Sequence, residues 1–277
     1  MMRCFGTVEI WQIVTMQTTK TDIAISIISV AAFILFWELA VRIFQIPSLV
    51  LPAPSAIAAE GYLRHNIYLQ HSWVTLYETV LGFVLAAFIG VILSVGIVYS
   101  RVLKSAIFPL VVALQIVPKV AIAPLLLIWA GYGVSSKILL ALLVAFFPIV
   151  VNMVTGLAAV DEELLELCRI LQANRWKEFF KVRLPNALPY LFSSLKVAST
   201  LAVIGAVIGE FVGGDAGLGY LIIISNTEMR TSMAFVSIVG LSVLGLVLYG
   251  LIALAEKLCM PWERRIAVTS AVAPGRP

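Results

Sequence analysis

Among the ionisable side chains inside apolar stretches that are long enough to cross a membrane, two are the first candidates for chemistry in this chain. Lys119 stands between Pro118 and Pro124, and Glu210 lies near the end of a later apolar run. A charge at such depth costs about 2.5 kcal/mol or more unless it is paired or faces a polar cavity. Together with the amide of Asn152, in another apolar run, these side chains indicate a pathway for a small polar or anionic solute. For Lys119 and Glu210, the alternative roles are an internal ion pair or a side chain that reaches the membrane surface. For Asn152, the alternative is a hydrogen bond between helices.

No residue pattern of an enzyme accompanies these candidates. The two histidines, His65 and His71, fall outside the apolar runs, and no acid or cysteine stands at metal-ligand spacing from them. The sequence contains neither His-Glu-x-x-His nor the Gly-x-x-x-x-Gly-Lys-Ser/Thr loop that binds nucleotide phosphates. We therefore predict a protein that is not an enzyme and that binds no metal or cofactor itself. The basic residues flank the apolar runs, so nucleic acid is not expected as a partner.

The composition requires a membrane. Of the 277 residues, 61% are hydrophobic and 12% are charged, whereas a soluble domain averages about 45–50% apolar and about 25% charged residues. Six runs each provide the roughly 20 apolar residues that cross about 30 Å of hydrocarbon. We predict an all-α, polytopic membrane protein with six transmembrane helices, over residues 23–44, 75–99, 106–129, 137–156, 190–212 and 232–254.

Proline divides the third predicted span. Pro109, Pro118 and Pro124 each remove a backbone donor, and we expect all three to interrupt the helix. Such breaks persist in a membrane only where protein or a water-filled cavity satisfies the freed backbone groups. This favours a cavity beside Lys119.

The distribution of basic residues sets the predicted topology. Six spans leave both termini on one side, and that side holds thirteen lysines and arginines against four on the other. Cytoplasmic segments carry the excess of basic residues, so both termini are predicted to be cytoplasmic. The first 22 residues lack a long apolar core followed by a small-residue cleavage site, so no signal peptide is predicted. Residues 213–230 then form an outer, glycine-rich loop with a short apolar helix.

One segment between the fourth and fifth spans is dense in charge: residues 161–189, DEELLELCRILQANRWKEFFKVRLPNALP. Its first half predicts a short amphipathic helix, with Asp161 as N-cap and acids at the positive end of the helix dipole. The apolar stripe of this helix comprises Leu164, Leu165, Cys168 and Leu171. Residues 172–174 predict a bend, and 175–183 predict a second short helix that the following Leu-Pro pair ends. Two amphipathic helices outside the spans indicate a surface that contacts a partner, and a basic helix lying on anionic lipid is the alternative.

The charged segment resembles the cytoplasmic coupling loop of bacterial ABC importer permeases. The pattern of that loop is Glu-Ala-Ala, three residues, Gly, and about nine residues later a hydrophobic residue followed by x-Leu-Pro. Glu166-Leu167-Cys168 stand at the Glu-Ala-Ala positions, Gln172 at the glycine, and Val182-Arg183-Leu184-Pro185 at the end. Both alanines and the glycine are therefore replaced in this chain.

Further motifs resemble the branch of these permeases that imports nitrate, sulfonates, taurine and thiamine or flavin precursors. They are Leu51-Pro52-Ala53-Pro54, the run PKVAIAPL at 118–125, the run WAGYG at 129–133, Glu210-Phe211 and Gly217-Leu218-Gly219. The resemblance covers residues 35–263. It implies the type I ABC importer permease fold for a permease domain at 23–265, with the coupling loop at 157–189. Residues 1–22 and 266–277 are then cytoplasmic segments at the two termini.

The resemblance also implies partners and a task. The partners are a cytoplasmic ATP-binding-cassette ATPase dimer that carries ATP and Mg, a second permease copy as a homodimer, a periplasmic or lipid-anchored substrate-binding protein, and the lipid of the bacterial inner membrane. The solute would be a pyrimidine or thiamine precursor, a flavin, a sulfonate or nitrate. The residues expected to contact the ATPase are Glu163, Glu166, Leu167, Cys168, Arg169, Gln172, Ala173, Arg175, Leu184 and Pro185. The alternative is an ATPase-independent secondary transporter or channel, which would not explain the charged loop of two helices.

Overall fold

The structure, a computed structural model, describes residues 20–261, and every regular element in this range is a helix. Residues 1–19 of the predicted N-terminal segment and the predicted tail, 266–277, lie outside the described residues. In chain order the helices are α1 Lys20–Ile43, α2 Pro54–Leu63, α3 His65–Tyr99, α4 Arg101–Ile116, α5 Lys119–Ala130, α6 Val134–Ala158, α7 Glu162–Ile170, α8 Arg175–Glu178, α9 Leu184–Gly213, α10 Leu218–Thr227 and α11 Thr231–Cys259. A π-helical segment, Phe179–Arg183, joins α8 to α9.

Five helical stretches are long and apolar enough to cross a membrane: α1, α3, α6, the continuous run from α8 to α9, and α11. The helices α4 and α5, with 16 and 12 residues, meet this condition only together, and they are bent by 105° at the break between them. The described residues thus hold five spans, or six if the bent pair counts as one, which confirms the predicted all-α membrane fold. The 35 residues of α3 extend over about 52 Å, so this helix projects beyond a hydrocarbon layer of about 30 Å.

The helix at the centre of the bundle is α6, which packs between α3 and α9. Small residues let the three backbones approach closely. A Cβ atom at Gly82 of α3 would lie 2.5 Å from the Ala141 Cβ, and one at Gly205 of α9 would lie 2.6 Å from the Ala141 Cα. Ala141 of α6 is therefore held between two glycines that have no room for a side chain.

The first helix, α1, makes few contacts with the rest of the chain and is exposed along most of its length. Its C-terminal half is attached at two points. The Glu38 carboxylate forms an ion pair with Arg42 at 2.6 Å and accepts a hydrogen bond from the Ser55 N–H at the start of α2. Trp37 packs against Phe235 of α11, with 5.8 Å between the ring centroids. These contacts fix one end of an otherwise outlying helix.

The break in the third span lies at Pro118 alone. Pro109 and Pro124 are inside α4 and α5, so the expectation that they interrupt the helix is wrong. A proline inside a helix removes one hydrogen bond, and the other turns of α4 and α5 maintain the helix on either side. Val117 has an extended backbone, with φ −62° and ψ 129°, which is the conformation favoured before proline. The helix therefore ends before Pro118 and restarts at Lys119.

The predicted helix end at Leu184 and Pro185 is wrong, because the helix continues through this pair. The structure forms one helical stretch over residues 175–213. Pro185 lies in the first turn of α9, where the preceding π-helical segment shifts the hydrogen-bond register and a missing N–H is tolerated. The helix that contains the fifth predicted span is therefore continuous with the charged loop and begins before residue 190.

Candidate coupling surface and solute pathway

The helix α7 projects from the bundle, and backbone hydrogen bonds cap its C-terminus. None of its residues is buried. At its C-terminus the Ala173 N–H donates to the Cys168 carbonyl oxygen (2.9 Å) and the Gln172 N–H donates to the Arg169 carbonyl oxygen (3.0 Å), which is the Schellman motif. Gln172 has φ 49°, a left-handed conformation that glycine adopts at least cost. The predicted bend is confirmed, and its left-handed residue stands where the resembled coupling loop has glycine.

Large apolar side chains of α7 and its C-cap are not covered by the described part of this chain. They are Leu164, Leu167, Ile170 and Leu171, and we call this set the apolar patch of α7. Ile170 and Leu171 are 77% and 70% exposed. Two residues of the predicted apolar stripe, Leu165 and Cys168, are partly buried against the bundle. The stripe therefore faces partly toward the bundle and partly away from it. An exposed apolar surface rimmed by charges is typical of an interaction site.

Arg183 fixes the second half of the charged loop to the bundle. Its Nε atom donates to Glu178 Oε1 at 2.7 Å, and its Nη1 atom donates at 3.0 Å to the carbonyl oxygen of Leu157, near the end of α6. The guanidinium carbon also lies 5.7 Å from the ring centroid of Tyr99, the last residue of α3. Arg183 therefore connects the loop to the ends of α3 and α6.

Lys119 is the first residue of α5 and lies directly after the break. Its half-buried side chain donates from Nζ to the carbonyl oxygen of Gln115 in α4. The same Nζ lies 5.0 Å from the ring centroid of Phe147 in α6, within the range of a cation–π interaction. No acid among residues 20–261 forms an ion pair with Lys119. The internal ion pair considered as its alternative role is therefore not formed within the described chain.

Asn152 lies on an open face of helix α6, most of whose central residues are buried. Its side chain is exposed, and its Nδ2 atom donates to the Pro148 carbonyl oxygen at 2.8 Å, one turn earlier. Thr155 follows on the same face, is also exposed, and donates to the Val151 carbonyl oxygen. Both polar side chains bond within their own helix, so the hydrogen bond between helices considered for Asn152 is not made in the part of the chain that the structure describes.

Glu210 is buried at the end of α9 where the chain turns into α10. Its Oε1 atom accepts a hydrogen bond from the Thr75 hydroxyl of α3 (2.6 Å), and its Oε2 atom accepts one from the Gly219 N–H (2.5 Å). A Cβ atom at Gly217, which has φ 114°, would lie 2.1 Å from Glu210 Oε1. The close approach of this carboxylate therefore requires glycine at position 217.

The first N–H groups of α10 are satisfied by side chains of other helices. His71 Nδ1 accepts from the Gly217 N–H at 2.9 Å, and the Thr75 hydroxyl accepts from the Leu218 N–H at 2.8 Å. With the bond from Gly219 to Glu210, three donors at the start of the helix are capped by α3 and α9. This cap ties α10 to the bundle.

Lys137, in the first turn of α6, extends the same cluster. Its Nζ atom lies 3.3 Å from Glu78 Oε1 and 3.2 Å from Asp215 Oδ1. Lys137 and Glu78 are buried, whereas the Asp215 side chain is 93% exposed. The hydrogen bond from Lys137 lowers the pKa of the Asp215 carboxyl. We call these residues the polar junction: His71, Thr75, Glu78, Lys137, Glu210 and Asp215.

The structure does not bring the three predicted pathway residues together. Glu210 belongs to the polar junction, near Lys137 at the start of α6, whereas Asn152 lies toward the other end of that helix. A rise of 1.5 Å per residue separates Lys137 from Asn152 by about 22 Å. Lys119 contacts α6 at Phe147, between these two levels.

Sequence reasoning missed most of the polar junction. Glu78 and Lys137 are ionisable residues at or inside predicted spans, and neither was selected as a site. One signal was present, because His71, Thr75 and Glu78 recur at intervals of four and three residues and so lie on one face of a helix. No group of three potential metal ligands occurs among residues 20–261.

Residues 82–258, more than half of the chain, match the family described as binding-protein-dependent transport system inner membrane component. The chain belongs to this family. It is a multi-pass membrane permease of a binding-protein-dependent transport system, and ATP hydrolysis is the task of a separate subunit. The family works with an ATPase and a substrate-binding protein, and it gives no support to an ATPase-independent transporter or channel.

Relatives of this permease carry several solute names. It is 37% identical over 238 residues to the riboflavin transport system permease protein RibX of Chloroflexus aurantiacus, covering 85% of this chain and 89% of the relative. It is 33% identical over 230 residues to the formylaminopyrimidine transport permease protein ThiX of Halalkalibacterium halodurans, covering 83% and 92%. A putative aliphatic sulfonates transport permease protein, SsuC of Bacillus subtilis, is 30% identical over 84% of this chain and 85% of the relative.

A solved structure confirms the permease fold. A chain of the MetNI methionine ABC transporter in an inward-facing conformation aligns with a TM-score of 0.56. The alignment covers 68% of this chain and 95% of that chain, at 18% sequence identity. The type I ABC importer permease fold that the sequence predicted is therefore correct.

Proposed function

We propose that this permease imports a small polar or anionic solute with energy that reaches it through the loop of residues 157–189. The apolar patch of α7 carries this proposal, because a short, capped helix presents it outside the bundle and nothing in the described chain covers it. A cytoplasmic ATPase dimer would cover this patch. The polar and charged residues around it, Glu163, Glu166, Arg169 and Arg175, would set the orientation of that contact.

The coupling movement follows from the attachments of the loop. When ATP and Mg close the ATPase dimer, the two loops of a permease homodimer are drawn together. The Schellman motif, which includes Cys168, Gln172 and Ala173, caps the C-terminus of α7. The helix therefore moves as one body. The helical stretch through Leu184 and Pro185 carries the displacement into α9, and Arg183 carries it to α3 and α6. A rigid-body movement of this kind switches a bundle between two discrete arrangements.

The orientation follows from the basic residues. The permease would lie in the bacterial inner membrane with the loop and both termini in the cytoplasm. A periplasmic or lipid-anchored binding protein would deliver the solute to the opposite end of the bundle, which carries the polar junction and α10.

The solute pathway would pass the open polar face of α6. Asn152 is exposed there, and Lys119, at the break between α4 and α5, offers a cation that no acid within residues 20–261 pairs. A break inside a span persists where it lines a cavity. The names of the relatives favour a pyrimidine precursor or a flavin as the solute over a sulfonate or nitrate. Glu210 would act on the pathway through its cap on α10, since its carboxylate is buried.

The charge reversal Glu166→Lys tests the coupling surface. Glu166 is exposed beside the apolar patch of α7, and a lysine there would disturb the contact with the ATPase without touching the bundle. We expect the variant to enter the membrane at the wild-type level, to lose co-purification with the cognate ATPase, and to lose uptake. The matched control is Glu228→Lys, at an exposed acid in the turn between α10 and α11, far from the loop, which should keep co-purification with the ATPase. Wild-type uptake by Glu166→Lys at equal abundance would refute the assignment of this surface.

A further inference from the structure

The polar junction holds three carboxyl groups and a single lysine, which contacts two of them, Glu78 and Asp215. Glu78, Glu210 and Lys137 are each at most 1% exposed, whereas Asp215 is almost fully exposed. Water solvates the charge of Asp215, so the two buried glutamates share one ammonium group. If both glutamates were ionised, the buried part of the cluster would carry a net negative charge. Burial strongly disfavours such an uncompensated charge.

Hydrogen bonds distinguish the two glutamates. Glu210 accepts one bond at each carboxylate oxygen, as an ionised group does. Both Glu78 oxygens are buried and have no hydrogen-bond partner in the described part of the chain, and Lys137 makes only the 3.3 Å ionic contact with one of them. Thr75, which donates to Glu210, lies one turn before Glu78 on the same face of α3, so the Glu78 carboxyl is directed toward Glu210. Two ionised carboxylates offer no donor, so a bond between them forms only when one holds a proton.

We propose that Glu78 binds a proton and donates it to the Glu210 carboxylate, so that the polar junction is a proton-binding site. The buried charges then balance, because Glu210 is negative and Lys137 is positive. The groups that face Glu78 are Lys137 from α6, Glu210 from α9 and Asp215 from the turn before α10. His71, on the same helix as Glu78, is neutral because its Nδ1 atom accepts the Gly217 N–H.

The bound proton holds four helices in place. It connects Glu78 of α3 to Glu210 of α9, and Glu210 in turn caps α10, while Lys137 contributes α6. When the proton leaves, Glu78 and Glu210 repel each other across the junction. Folding therefore takes up one proton at this site. The free energy of unfolding must therefore fall as the pH rises. This fall extends from the pH at which an unfolded glutamate ionises to the pH at which Glu78 ionises in the folded chain. The ratio of folded to unfolded protein falls about tenfold per pH unit over that interval.

The test compares the full-length wild-type permease with Glu78→Gln in lipid nanodiscs. Glutamine has nearly the shape of the neutral acid and can donate its amide proton to Glu210. We expect the thermal midpoint of the wild type to fall as the pH rises. The midpoint of Glu78→Gln should lack this pH dependence, and at alkaline pH it should equal or exceed the midpoint of the wild type. The infrared carbonyl band of a protonated carboxyl should be present in the wild type and lost in Glu78→Gln. The control Glu228→Gln removes an exposed acid and should keep both the slope and the band.

The opposite result is a Glu78→Gln variant that is less stable than the wild type at every pH and loses no carbonyl band. That result would assign Glu78 as the ionised partner of Lys137 and overturn the proposal. Failure of Glu78→Gln to accumulate in the membrane would overturn it too, since a site that holds the neutral acid must accept glutamine. Neither measurement depends on uptake or on the ATPase, so this proposal and the proposed function can fail separately.

Discussion

Replacing Gly205 by alanine tests whether α6 is clamped between its two neighbours. The added Cβ atom would lie 2.6 Å from the Ala141 Cα and 2.7 Å from the Leu140 carbonyl oxygen. Both contacts are far inside van der Waals distance, and both atoms belong to the backbone, so no side-chain rotation relieves them. Overpacking of a well-packed interior costs about 1–3 kcal/mol. Against this, alanine in place of glycine favours a helix by about 0.5–1 kcal/mol.

Gly245 in α11 provides a control in which alanine brings only the gain in helix propensity. Nothing lies within 4 Å of a Cβ atom added there. The gain in helix propensity is common to both variants, so the free energies of unfolding of Gly205→Ala and Gly245→Ala should differ by about 1–3 kcal/mol. This corresponds to a difference of several degrees in thermal midpoint, at about 2–4 °C per kcal/mol for a chain of this size. Thermal denaturation of the purified proteins in detergent measures it. Equal midpoints for the two variants would refute the close packing of α6 against α9.

Three further outcomes are expected. Gln172→Gly should raise the free energy of unfolding by up to about 1–2 kcal/mol, since Gln172 has φ 49°, and transport should persist; a clear loss of stability in detergent would contradict the left-handed turn. Lys119→Ala should impair uptake while the ATPase still co-purifies. Lys119→Cys, in a background in which Cys4, Cys168 and Cys259 are replaced, should react with a water-soluble thiol reagent in at least one nucleotide state; a thiol that is inert with and without ATP would remove position 119 from the pathway. Reporter fusions after residues 65 and 225 should give extracytoplasmic signals and those after 103, 175 and 270 cytoplasmic signals; an extracytoplasmic signal at 175 would contradict the role of the loop.

Sequence alone predicted the features that depend on local properties. The spans that became α1, α6 and α11 were placed within a few residues, because length and hydropathy decide whether a helix can cross a membrane. The bend at Gln172 was also predicted, because the end of a short amphipathic helix is marked in the sequence around it.

The features that sequence reasoning missed depend on contacts between distant residues. Nothing near Glu78 indicates that Lys137 and Glu210 face it, because that contact is made only when α3, α6 and α9 pack together. Pro185 signalled a helix end because its usual effect is to remove a backbone bond. That effect is absent here because of a π-helical segment, Phe179–Arg183, which no sequence rule had indicated.

The polar junction also bears on how the chain is synthesised. Glu78 enters the membrane with α3, but Lys137 and Glu210 belong to helices that leave the ribosome later. A lone acid at the centre of an inserting helix costs about 2.5–3.5 kcal/mol, which is the upper bound for Glu78 near the end of its predicted span, and the apolar residues of α3 offset this cost. We expect α3 to remain beside the insertion machinery, with Glu78 in its neutral form, until α6 supplies the ammonium group. Removal of Lys137 would then lengthen the residence of the nascent chain at that machinery before it altered any property of the mature permease.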